Sequence, residues 1–146
     1  MIAQTIQLAL TPVFVLVAIG NIMNILSQRL GRVVDRSRSL QERHGTTDGE
    51  EHDLIVSEMR LIAQRITLIG RALTLLVISG LTIGLTVAVL FFEELAKIDL
   101  HQVAATTFVT AIALLMIALT YFLRETRVAA ETLRIPLDYL ELHRKI

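Results

Sequence analysis

The sequence predicts an all-α membrane protein with three transmembrane helices. The first two continue into a cytoplasmic antiparallel coiled-coil hairpin, and a cytoplasmic helix follows the third. Two observations carry this prediction. Residues 1–28, 72–92 and 100–123 hold no Asp, Glu, Lys or Arg, and a spanning helix needs about 20 mostly apolar residues to cross a hydrocarbon core roughly 30 Å thick. Backbone amides in lipid must be paired within their own segment, so these stretches are helices. Secondly, the charged stretch between the first two keeps a four-three rhythm of apolar residues. The spans are placed at 5–28, 71–92 and 101–123, the hairpin at 29–70 and the tail at 124–146, all in one membrane domain over 1–146.

Composition narrows the function classes. Of 146 residues, 53% are hydrophobic, and the spans take up most of them, which leaves no second soluble core. Cysteine is absent, excluding a disulfide framework and a thiolate metal site. Without Trp, interfacial anchoring falls to Phe91, Phe92, Tyr121, Phe122 and the flanking arginines. The first span lacks a positive leading region and a small-residue cleavage site, so it is expected to be retained.

Span one contains Thr11-Pro12, where the missing amide donor is expected to loosen or kink the helix. Asn21, Asn24 and Gln28 share one side, and amides at that depth serve as hydrogen-bonding glue between helices. In the hairpin, Leu26, Leu30, Val33 and Leu40 on one limb answer Ile55, Met59, Ile62, Ile66 and Ile69 on the other. The index pairing Leu40–Ile55, Val33–Ile62 and Leu26–Ile69 is constant through the hairpin. Residues 44–49 form the turn, with a capping box expected between Thr47 and Glu50. The hairpin extends roughly 25 Å past the membrane at 1.5 Å per residue.

Span two carries Gly80 and Gly84, a small-xxx-small pattern that permits close helix approach, with Thr82 and Thr86 beside it. Span three places Ala104, Thr107, Ala111 and Ala118 on one stripe, and Thr106, Thr110, Ala113 and Thr120 on another. These small, hydroxylated faces serve for packing or, on an oligomer axis, for lining a narrow path. In the tail, Pro136 interrupts the helix, while Ile135, Tyr139, Leu142 and Ile146 again follow the heptad rhythm and are expected to pack on the hairpin or on another subunit.

Lys and Arg set the orientation. Residues 29–71, between the first two charge-free stretches, carry eight arginines, the next connection only Lys97, and the tail Arg124, Arg127, Arg134, Arg144 and Lys145. The positive-inside rule therefore puts the N-terminus outside, with the hairpin and C-terminus in the cytoplasm. Arg29, Arg32, Arg65, Arg71, Arg124 and Arg127 flank the spans, where anionic headgroups would contact them. No Asp, Glu, Lys or Arg lies inside residues 1–28, 72–92 or 100–123, which counts against a proton-driven transporter. Neither a glycine-rich phosphate loop nor HExxH is present, and Glu51-His52-Asp53 cannot converge on one ion from a helix. No enzymatic activity, cofactor, metal or nucleic acid is implied.

Residues 7–14, QLALTPVF, and 24–36, NILSQRLGRVVDR, resemble a family of small bacterial membrane proteins, domain of unknown function 2721. The resemblance implies a bacterial inner-membrane location and brings no activity, cofactor or catalytic residue. The reading is a homo-oligomeric structural or interaction module that offers its hairpin to a cytoplasmic protein. The alternative is a small oligomeric ion or solute channel lined by Thr82, Thr86, Thr106 and Thr110.

Overall fold

A computed structural model describes residues 2–132 of the chain. It contains α1 (Ile2–His44), α2 (Glu50–Ala96) and α3 (His101–Thr132). Each helix holds a stretch long and apolar enough to cross a membrane, and between 17% and 22% of each stretch is buried within the protein. The rest of those apolar surfaces faces outward, which suits a multi-pass membrane protein surrounded by lipid. At 43 and 47 residues, α1 and α2 each exceed the length of a span by more than half, reaching roughly 65–70 Å at 1.5 Å per residue.

Buried positions recur every seven residues on all three helices. On α1 they are Thr5, Pro12, Ile19, Leu26, Val33 and Leu40. On α2, Ile55, Ile62, Ile69, Leu76 and Ile83 form one column and Ala72, Ser79 and Thr86 a second. On α3 they are Ala104, Ala111, Ala118 and Glu125. A repeat of seven keeps one stripe facing the same neighbour along a slightly under-wound helix. The two columns of α2 therefore serve two neighbours, and α2 lies between α1 and α3.

Both neighbours run antiparallel to α2. On the α1 side, Arg36 pairs with Glu58 at 2.7 Å and Arg43 with Glu51 at 2.8 Å. Seven residues back along α1 are matched by seven forward along α2, as the index pairing requires. Glu58, bonded to Arg36 through two nitrogens, holds that guanidinium above its ordinary range. On the α3 side, the Ser79 hydroxyl donates to the Ala111 carbonyl at 2.7 Å, and Thr86 donates to the Thr107 hydroxyl at 2.9 Å.

The two connections are short. α1 passes unbroken through Pro12, which joins its buried column. At the turn the expected capping box does not form. Gly49 is the N-cap of α2, with φ 69° and no side-chain cap, so Thr47 lies two residues too early. The Thr47 hydroxyl instead donates to the Arg43 carbonyl at 3.1 Å and helps close the end of α1. Only glycine adopts that positive φ without strain, which is why the helix start shifts to it. Lys97 ends α2 in the left-handed region at φ 53°. The tail residues Ile135, Pro136, Tyr139, Leu142 and Ile146 lie outside the described residues.

Candidate functional site

The alanine column of α3, continued by one heptad past Ala118, arrives at Glu125. Its side chain is 0% exposed. At the same level the α1 ladder of Arg43 and Arg36 continues to Arg29, and the α2 ladder of Glu51 and Glu58 continues to Arg65. The two outer rungs are Arg–Glu pairs, whereas the innermost is Arg opposite Arg. Glu125 resolves that clash from the third helix. Its Oε2 accepts from Arg29 Nη2 at 2.7 Å and its Oε1 from Arg65 Nε at 2.9 Å.

Three helices are thus tied at one point, just beyond the end of the charge-free part of α1 and α3. The Arg29 guanidinium also lies over the Phe122 ring, 5.4 Å from its centroid, a cation–π contact that fixes its plane. Arg29 and Arg65 are largely covered, with side chains 23% and 19% exposed. A buried carboxylate held by two guanidiniums gains from charge-assisted hydrogen bonds on both oxygens. Removing one member of a buried ionic group typically costs about 3–5 kcal/mol, because it strands the others. Sequence reading put Arg29 and Arg65 at a lipid surface and passed over Glu125. The signal is the seven-residue stripe of Ala104, Ala111 and Ala118, whose next position past the end of the span is Glu125.

The remaining residues expected to matter scatter over several surfaces. Arg32, Arg71, Arg124 and Arg127 are exposed and make no side-chain hydrogen bond or ion pair among the described residues. Asn21 and Asn24 face outward from α1, and Gln28 donates to Asn24 on the same helix at 3.4 Å. A Cβ on Gly80 would meet Leu16 at 3.5 Å, an ordinary contact, and one on Gly84 would meet nothing within 4 Å. Within one chain, then, neither glycine is needed for close approach.

The threonines separate in the same way. Thr82, Thr106 and Thr110 donate to carbonyls one turn back on their own helices. Thr86 is 2% exposed and sealed against Thr107 between α2 and α3. At the turn, Glu51 engages Arg43 while the His52 ring packs on His44 at 4.4 Å, so adjacent residues diverge as expected. At the opposite end, Glu93, Asp99 and His101 bring one ligand atom each within 4.8 Å of one another, a grouping that sequence reading did not single out. Glu93 accepts from His101 Nδ1 at 2.9 Å, and Asp99 accepts from the His101 amide at 3.2 Å, so each already has a partner at the start of α3.

No curated protein and no solved structure matches the chain. A family model described as "Protein of unknown function (DUF2721)" matches residues 9–135, which takes in α1 from Ala9 onward, all of α2 and α3, and every member of the Arg29–Glu125–Arg65 cluster. The chain belongs to that family.

Proposed function

We propose that the protein is a non-enzymatic, homo-oligomeric module of a bacterial inner membrane, with its N-terminus outside. Its α1–α2 hairpin projects into the cytoplasm as an antiparallel coiled coil and is offered to a protein partner. The orientation rests on the arginine-rich hairpin against the single Lys97 of the other connection. The coiled-coil reading rests on the seven-residue columns of both helices and on the Arg–Glu rungs between them.

The observation that carries the oligomer is the outward face of α1. Gly20, Asn21, Asn24 and Gln28 are exposed inside an otherwise apolar stretch, and a Cβ on Gly20 would meet nothing within 4 Å. Asn21 has no side-chain hydrogen bond among the described residues. An unpaired amide in hydrocarbon costs roughly 2–7 kcal/mol. A second copy presents the same amides beside a glycine small enough for close approach, and so satisfies both chains at once.

Native mass measurement in lipid nanodiscs over a range of protein concentrations tests the reading. An oligomer is expected, and its order should fall when Asn21→Leu and Asn24→Leu are combined. A strictly monomeric protein at every concentration would overturn it.

A further inference from the structure

The innermost rung borders a cavity of about 330 Å³, walled by Arg29, Arg32, Arg36 and Arg65 and floored by Val33 and Ile62. Ala129 of α3 closes one side, so all three helices contribute. Four guanidiniums face this space, while the carboxylates bonded to them are two, Glu125 and Glu58. Four positive charges against two negative leave an excess of two.

The unused donors also point to a ligand. Arg29 Nε is buried and has no hydrogen-bond partner. Arg65 engages Glu125 through Nε and keeps its terminal nitrogens, and Arg32 has no partner among the described residues. An acceptor entering here would meet the terminal nitrogens of Arg65 and the guanidinium of Arg32.

We infer that this cavity is a binding site for a phosphate group carried on an ester. Guanidinium forks match phosphate oxygens two at a time, which single ammonium groups cannot do. At about 330 Å³ the space is roomy enough for a phosphate and the first atoms of its ester. The site opens one turn beyond the charge-free part of α1, at the level where a phospholipid headgroup lies, and it also faces the compartment of the hairpin. The shared chemistry is the phosphate, and the source is either a lipid or a soluble phosphate ester. The inference is independent of the oligomer, because a single chain supplies every group.

Binding is measured on the full chain in two arms. In the first, detergent-solubilised protein is titrated with glycerol 3-phosphate by calorimetry. In the second, native mass spectrometry counts phosphatidylglycerol retained from mixed phosphatidylcholine nanodiscs. Saturable binding is expected in one arm, and the arm that responds identifies the source. Arg32→Gln, which breaks no pair within the protein, should weaken it about tenfold, the loss of one charge-assisted contact. Arg60→Gln, on the far face of α2, should leave it unchanged, and neither substitution should move the melting temperature. No saturable binding in either arm, or equal weakening by both substitutions, would overturn the site.

Discussion

The two seams of this molecule meet on one helix and are built by opposite rules. Between α1 and α2 the buried column is bulky: Ile19, Leu26, Val33 and Leu40 against Ile55, Ile62, Ile69, Leu76 and Ile83. Between α2 and α3 it is small: Ala72, Ser79 and Thr86 against Ala104, Ala111 and Ala118. The first seam runs past the spans into the hairpin, where removing apolar surface from water drives association. The second lies mainly at the level of the apolar stretches, where lipid is as apolar as leucine and that driving force vanishes. There, close backbones and interhelical hydrogen bonds must do the work. The bond from the Ser79 hydroxyl to the Ala111 backbone carbonyl is possible only because neither column carries a large side chain.

The strongest test of this contrast is the point where the seams converge. Glu125→Gln should destabilise the protein by about 3–5 kcal/mol, since it leaves Arg29 and Arg65 facing each other with their counter-charge gone. Replacing the whole cluster, with Arg29→Met, Arg65→Met and Glu125→Leu together, should recover most of that loss. Unfolding in nanodiscs measures both, and a silent Glu125→Gln would show that the cluster does not hold the helices.

The seams themselves should respond in opposite senses to side-chain size. Leu40→Ala, at a fully buried site of the bulky seam, should cost about 2–5 kcal/mol through lost burial and an unfilled cavity. Ala111→Leu, in the small seam, should cost about 1–3 kcal/mol by forcing α2 and α3 apart. It should also break the Ser79 bond, which hydrogen exchange at the α2–α3 contact would register. If Ala111→Leu were tolerated while Leu40→Ala was not, the small seam would not be a close one. The smallest effect is expected from Ser79→Ala, about 0.6 kcal/mol, the average for an interhelical hydrogen bond within a membrane bundle.

Much of this architecture is legible from spacing. The charge-free runs mark the three helices, and the constant index pairing of Leu40–Ile55 and Val33–Ile62 agrees with the observed rungs Arg43–Glu51 and Arg36–Glu58. Val33 and Ile62 border the same cavity. What escaped sequence reading depends on the third dimension. Thr47 and Glu50 have capping-box spacing, but the choice between Thr47 and Gly49 as cap turns on a backbone angle that spacing does not encode. Glu125 sits in a run of charges, Arg124 to Arg127, that reads as a solvated helix end. Only the joint position of two other helices makes it the most buried charge described. Thr86 likewise reads as part of a hydroxylated face, and its burial follows from which side α3 approaches.

Glu125 also imposes an order of assembly. The limbs of the hairpin are synthesised first, with Arg29 and Arg65 brought face to face by the same register that pairs the outer rungs. Their counter-charge is encoded sixty residues after Arg65. The tip of the hairpin can therefore zip as soon as both limbs exist, whereas closing its base before α3 arrives would set two like charges against each other without their carboxylate. Full closure of that base is thus expected only once all three helices are in place.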